Sequence, residues 1–286
     1  MNQYEDRYFE SARLRLHYVA WGDESKPPLL LVHGTRDHAR SWDFVAQGLL
    51  DRYAVYALDL RGHGDSDWAQ GGPYGLADYV SDMARFVETL GRGPVSIVGH
   101  SLGGRVSLDY ASAFPDNVTK LVCIEGTGHF RPQMPPDERI RRHVADIADL
   151  TKRQSEPRLY KSIEAAAERM IEENKHLTPA MARHLTEHAV RRREDGTYIW
   201  KFDLFLRLAP LHEWSIPDTK LLWSNLTARV LLVGGSESWW PKQPNREELS
   251  AAIPGARTVI FDNAGHWVHH DQLDGFVATA REFLEG

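Results

Sequence analysis

The sequence predicts an α/β fold: a mostly parallel sheet flanked by helices, with an inserted helical cap. Three observations carry that prediction. Short continuous apolar runs, the pattern of strands buried on both faces, recur at 29–32, 54–58, 95–98, 121–124, 230–233 and 259–261. Amphipathic segments at 41–50, 76–90, 105–114, 247–253 and 272–284 alternate with them, as right-handed βαβ crossovers require. The alternation stops after Ile124 and resumes only at Val230, leaving a charged, helix-rich stretch in the middle.

Taken in order, the first two strands, near 4–10 and 14–21, read as an antiparallel hairpin at the sheet edge. The core then divides into a first half, residues 1–125, and a second half, residues 228–286, with the cap at 126–227. Within the cap, Pro132, Pro135, Pro136, Pro157, Pro179, Pro210 and Pro217 break the helical pattern into short pieces. Its arginine runs, Arg139-Ile140-Arg141-Arg142 and Arg191-Arg192-Arg193, have acidic neighbours and read as solvated helix faces rather than as a site for an anionic partner.

A chain of 286 residues is long enough for one large core domain with an insertion. Hydrophobic residues at 42% and charged residues at 26% are ordinary for a globular protein. The formal net charge of −6 offers no general attraction to nucleic acid or to an anionic membrane, so the expected partner is a small-molecule substrate. Composition sets no oligomeric state. The single cysteine, Cys123, excludes an internal disulfide and any multi-thiolate metal site, which fits a reducing cytoplasm. Residues 1–10 are polar and acidic, and no later stretch is apolar for long enough to span a bilayer, so neither export nor anchoring is expected.

Gly99-His100-Ser101-Leu102-Gly103 follows the apolar run at 95–98 directly and opens an amphipathic helix over 102–113. A serine on such a sharp strand-to-helix turn is held above the sheet edge, and glycines at 99 and 103 let neighbouring elements approach. The helix start aims its free amides and positive dipole end at the place where oxyanion charge would develop. Serine alone is a weak nucleophile and needs a general base. Asn263-Ala264-Gly265-His266-Trp267, after the last strand, supplies His266, with His269 and His270 further along as competitors. Two amides should bind the oxyanion: that of Leu102 and, from the loop His33-Gly34-Thr35-Arg36, that of Thr35.

His33-Gly34, the run from Asp59 through Arg61-Gly62-His63-Gly64 to Ser66, Gly99-His100-Ser101-Leu102-Gly103-Gly104, and Gly265-His266 together resemble the α/β-hydrolase superfamily in order and spacing. The resemblance covers residues 1 to about 125 and 228–286 and leaves the cap unmatched. Ile124-Glu125-Gly126, the run Asp195-Gly196-Thr197-Tyr198-Ile199-Trp200, and the run from Gly265 to His270 resemble the serine hydrolase-like subgroup. The superfamily implies an α/β-hydrolase sheet and a Ser-His-acid triad.

The acid departs from the superfamily's usual pattern. An aspartate customarily follows the strand at 230–233, but the loop here reads Gly234-Gly235-Ser236-Glu237-Ser238-Trp239-Trp240-Pro241. Counting along the strand puts Ser238 at the acid position; counting back from Pro241 puts Glu237 there. Glu125, at the end of the strand at 121–124, is the other candidate and the preferred one, because its strand neighbours the nucleophile strand and a buried acid needs a partner.

His184-Leu185-Thr186-Glu187-His188 fits a His-x-x-Glu-His zinc pattern but lacks an evident third ligand, and it lies in a His-rich charged segment. The expectation is therefore no metal and no organic cofactor. The expected activity is cleavage of a small-to-medium carboxylic ester through an acyl-enzyme. A lactone or carbon–carbon bond hydrolase on the same fold and a non-catalytic binding protein are the alternatives. Trp200, Phe202, Phe205, Trp214, Trp223, Trp239 and Trp240 are candidates for an apolar substrate pocket, although aromatic residues often serve only packing.

Overall fold

The computed structural model describes residues 4–70, 74–128, 134–155, 157–208 and 214–286; Pro132 and Pro210 lie outside them. Eight strands form the main sheet: β1 (Tyr4–Ser11), β2 (Leu14–Trp21), β3 (Pro28–Val32), β4 (Ala54–Leu58), β5 (Val95–His100), β6 (Val118–Ile124), β9 (Arg229–Gly235) and β10 (Arg257–Phe261). Their order across the sheet is β1-β2-β4-β3-β5-β6-β9-β10. The β1–β2 and β2–β4 pairs are antiparallel. Every other pair is parallel. The predicted edge hairpin and buried parallel strands are thus present, together with β7 (Val190–Arg192) and β8 (Tyr198–Trp200), which pair with each other outside the main sheet.

Because successive side chains of a strand point to opposite faces, an all-apolar strand fills two cores at once. Leu30 and Val32 enter one cluster with Ile97, Leu121 and Leu232, whereas Leu29 and Leu31 enter the other with Val98, Val122 and Val233. Helices cover both faces: α1 (Asp43–Gln47), α2 (Leu76–Leu90), α3 (Leu102–Ala113), α8 (Arg246–Ala251), α9 (Val268–Asp271) and α10 (Leu273–Glu285). The helix expected over 41–50 is shorter than its pattern suggests, a 3₁₀ turn at Ala39–Trp42 running into α1.

Between β6 and β9 the described chain forms α4 (Pro136–Ser155), α5 (Ile163–Glu173), α6 (Pro179–Ala189), the β7–β8 hairpin and α7 (Ile216–Trp223). The hairpin corrects the reading of Arg191-Arg192-Arg193 as a helix face, since Arg191 and Arg192 lie on β7. Its signal was present in Asp195-Gly196 between β-formers: Gly196 takes φ 84°, the left-handed conformation a tight hairpin turn demands. Arg141 and Arg142, by contrast, are exposed and face acids one helical turn away, Asp137 at 2.5 Å and Asp146 at 3.7 Å. Among the described residues no helix is long and apolar enough to cross a membrane.

Candidate active site

The end of β5 and the start of α3 meet at Ser101, whose φ of 50° and ψ of −112° lie outside the regions open to most residues. That strain turns the chain sharply, and the flanking glycines permit it. A Cβ on Gly99 would lie 2.7 Å from Gly103 O, and one on Gly103 would lie 2.2 Å from Val32 O. The Ser101 side chain caps no helix amide, so α3 does not engage its hydroxyl.

The loop after β3 closes one side of the site. His33, buried between β3 and β4, accepts from Leu60 N–H at Nε2, which places its proton on Nδ1 to donate to Gly34 O at 2.7 Å. The Gly103 amide bonds His33 O at 3.1 Å, tying this loop to the first turn of α3. A side chain at Gly34 would meet His100 Nδ1 at 2.7 Å and Ser101 Cβ at 3.2 Å, so the loop backbone runs directly against the Ser101 turn. Among the described residues the amides of Thr35 and Leu102 donate to no main-chain carbonyl. Thr35 is exposed and Leu102 half-buried.

His266 arrives from the loop after β10. His100, the residue before Ser101, holds that loop by donating from Nε2 to His266 O at 2.9 Å, with the two rings 4.6 Å apart. No local pattern in the sequence marks His100 for this contact, which spans distant segments. Asp271 braces the same loop by accepting from Gly265 N–H at 2.8 Å, and it also accepts from Asn174 at the end of α5 at 3.1 Å. Trp239 flanks the His266 ring at 5.5 Å.

Glu125 and Glu237 occupy different surroundings. Glu125, at the end of β6 with φ 51°, is fully buried. Its Oε1 accepts from Gly235 N–H at 2.9 Å, and its Oε2 accepts from Ser238 Oγ at 2.6 Å and from His266 Nδ1 at 2.5 Å. An ionised carboxylate only accepts, so Nδ1 carries the proton and Nε2 of the neutral ring keeps its lone pair. Ser238, at the customary acid position by strand counting, therefore serves as a donor to the carboxylate that contacts His266. Glu237 is 42% exposed and sits 3.2 Å from His176 and 3.5 Å from Lys175. The parallel register explains the difference: Ile124 pairs with Val233, so the residue after β6 meets the Gly235 amide at the end of β9.

The candidate aromatic residues separate. Trp223 and Trp240 are fully buried and Phe205 packs on the core. Trp214 is exposed. Trp200 and Phe202 line a cavity of about 510 Å³ whose wall also includes Thr35 and Trp267. Cys123 is buried beside the Ser101 turn, where its strand pairs with Gly99, and burial pushes its thiol up to about 12.

Neutral histidines are packed around and beneath the site. Burial, as the main cause, pushes His38 and His63 down to about 3, and pushes His33, His100 and His269 in the same direction. Each has a lower proton affinity folded than unfolded, so below pH ~6.5 the unfolded chain takes up protons that the folded chain refuses. Stability is therefore lost as pH falls from there, by about 1.4 kcal/mol per pH unit for each such group. Asp37, held up to about 7 by burial, and His17, where burial is outweighed by the hydrogen bond and charge of Asp59 to leave it above its ordinary value, oppose this over part of the range but are two groups against five. Thermal unfolding should shift down by about 5 °C or more between pH 7.5 and 5.5. An unfolding temperature that stays flat over that interval would show that these rings are not held neutral.

Among the described residues three groups of side chains bring ligand-type atoms within 4.8 Å of one another: Asp37 with His269 and His270, Asp43 with His184 and His188, and His17 with Asp59 and Asp65. The second contains the His-x-x-Glu-His pair on α6, with Asp43 where a third ligand was sought. Arg40, however, holds that carboxylate from Nε at 2.8 Å and from Nη2 at 2.7 Å, and a guanidinium there opposes a divalent cation. Glu187 turns to Arg183 at 2.8 Å. In the third group Asp59 is already supplied with donors, from His17 Nδ1 at 2.7 Å and the Asp65 amide at 2.9 Å. The first is a ring stack, with His269 on Trp42 at 4.4 Å and beside His270 at 4.1 Å.

A family model described as the alpha/beta hydrolase fold matches residues 27–273. An esterase of Mycobacterium tuberculosis is 28% identical over 278 residues, covering 93% of this chain and 85% of that protein. Serine hydrolase-like protein 2 of Homo sapiens is 31% identical over 298 residues, covering 93% of this chain and 89% of that protein. Among solved structures, a thioesterase domain from the curacin biosynthetic pathway superposes with a TM-score of 0.85 at 21% identity, covering 97% of this chain and 99% of that one, a likeness of fold.

Proposed function

Because the chain belongs to the alpha/beta hydrolase fold family, we propose that it is a serine hydrolase that cleaves carboxylic esters with Ser101 as nucleophile, His266 as base and Glu125 as acid. The observation that carries this reading is the 2.5 Å contact between the buried Glu125 carboxylate and His266 Nδ1, beside a serine held at positive φ. His266 Nε2 takes the Ser101 proton as Oγ attacks the ester carbonyl. The amides of Thr35 and Leu102 donate to the oxyanion, and Glu125 stabilises the imidazolium. Collapse of the intermediate transfers the proton to the leaving alcohol and leaves an acyl-serine. His266 then deprotonates water, which attacks the acyl carbonyl; collapse of this second intermediate breaks the bond to Ser101 Oγ, returns the proton from His266 to that oxygen and releases the acid.

Each proton in this sequence has a named carrier, so the steps call for no further group. A relative named as an esterase and another named serine hydrolase-like support ester cleavage. A serine at the elbow disfavours epoxide hydrolysis, which in this superfamily uses an aspartate there. We take residues 126–227 as a cap over a core formed by 1–125 and 228–286.

A fluorophosphonate probe separates this reading from a fold that only binds ligand. The expected result is a single covalent adduct on the Ser101 peptide, identified by mass spectrometry, and hydrolysis of short 4-nitrophenyl esters by the unlabelled protein. A chain that stays unlabelled and leaves every ester intact would favour binding alone.

A further inference from the structure

The 510 Å³ cavity beside the Ser101 site has an unusual charge for a chain of net charge −6. Among the described residues six arginines reach its wall: Arg36, Arg158, Arg169, Arg191, Arg193 and Arg207. Among the described lining residues Glu173 is the one carboxylate, and Arg169 already engages it at 2.6 Å. Arg193 lies 3.4 Å from Asp195 at the hairpin turn. Arg191 stacks over Trp68 at 5.2 Å and Arg158 over Tyr160 at 5.3 Å, contacts that orient a guanidinium without neutralising it. Burial first, and then the like charges of Arg36 and Arg153, hold the Arg207 guanidinium below its ordinary value, against a weaker pull from Glu173.

Like charges gathered around a concave apolar surface repel one another unless an anion is brought in. The wall begins at Thr35, the proposed oxyanion donor, with Arg36 next in the chain, so an anion held here would lie on the same molecule as a bond presented to Ser101. The rest of the wall is apolar or aromatic, with Trp200, Phe202, Leu204 and Met170 among its residues.

We propose that this cavity receives an ester carrying a second, anionic group, a carboxylate or a phosphate, on an apolar body. This rests on the reading of Ser101 as the nucleophile. The arginine forks hold the anion, the aromatic walls hold the body, and the ester is thereby positioned at Ser101. Arg191 and Arg193, contributed by the hairpin, belong to substrate recognition rather than to a solvated face.

The test compares three 4-nitrophenyl esters of matched length: pentanoate, the monoester of glutaric acid, and the ester of 4-phosphonobutanoic acid. One or both anionic esters should exceed pentanoate in kcat/KM by about tenfold or more, the better of the two identifying the anion, and the preference should shrink toward parity in about 1 M NaCl. Arg207→Met should lower the anionic-to-neutral ratio by about tenfold, and Arg207→Lys should restore part of it. Equal kcat/KM for all three esters, or a ratio untouched by Arg207→Met, would overturn the proposal. If no ester is turned over and no fluorophosphonate adduct forms, the nucleophile reading fails instead. Calorimetry with the monoanilide of glutaric acid then decides the cavity: binding that Arg207→Met weakens supports an anion site, and no binding rejects it.

Discussion

Ser101→Ala is expected to lower kcat toward esters by at least about 10⁴-fold while unfolding within a few degrees of the parent. Removing the hydroxyl removes the atom that forms the acyl bond, and neither His266 nor the two amides can replace it. Stability should change little. The cost of φ 50° comes from Cβ, which alanine shares with serine, and the hydroxyl caps no helix amide. The close fit of Gly34 against Ser101 Cβ is likewise unchanged. Steady-state kinetics with a thermal melt of the same preparation checks both halves. Esterase activity within tenfold of the parent in a folded Ser101→Ala protein would remove Ser101 from the mechanism.

Glu125→Gln should lower kcat by at least about 10²-fold, whereas Glu237→Gln should stay within about threefold of the parent. The difference follows from the donors around each carboxylate. Three groups donate to Glu125: Gly235 N–H, Ser238 Oγ and His266 Nδ1. A glutamine offers one carbonyl oxygen, so with that oxygen kept for Gly235 its amide NH₂ faces His266 and drives the imidazole toward the tautomer with the proton on Nε2. That nitrogen can no longer act as base toward Ser101. A buried donor facing a donor also costs about 1–3 kcal/mol, so Glu125→Gln should melt a few degrees lower. Glu237 is 42% exposed and contacts His176 and Lys175, where a lost surface charge is worth less than about 1 kcal/mol. A crippled Glu237→Gln enzyme beside a nearly normal Glu125→Gln enzyme would move the acid to Glu237.

Much of the sheet was legible because its signals are local. A run such as Leu29-Leu30-Leu31-Val32 reports burial on both faces, and Gly99-His100-Ser101-Leu102-Gly103 between a strand pattern and a helix pattern marks a sharp turn wherever it falls. The cap was less legible. Its helices are written in its sequence, but of the β7–β8 hairpin only the Asp195-Gly196 turn is, because a three-residue strand such as Val190–Arg192 carries almost no periodicity.

By itself the sequence determined the strand and helix alternation, the turn that carries Ser101, the glycines that turn tolerates, and a short list of two acids for one histidine. Only the tertiary structure decided which acid meets that histidine. Glu125 and Glu237 both follow strand patterns and are equally acidic on paper. Their difference arises from the β6–β9 register, from the Gly235 amide and Ser238 hydroxyl that this register brings to Glu125, and from His100 anchoring the loop of His266 across 166 positions of sequence. It was likewise the packing of the hairpin against the core that brought Arg191 and Arg193 to the same cavity as Arg36. Periodicity and turn chemistry act between residues a few positions apart, whereas a hydrogen bond between distant segments depends on how whole strands and helices have packed, which no local pattern encodes.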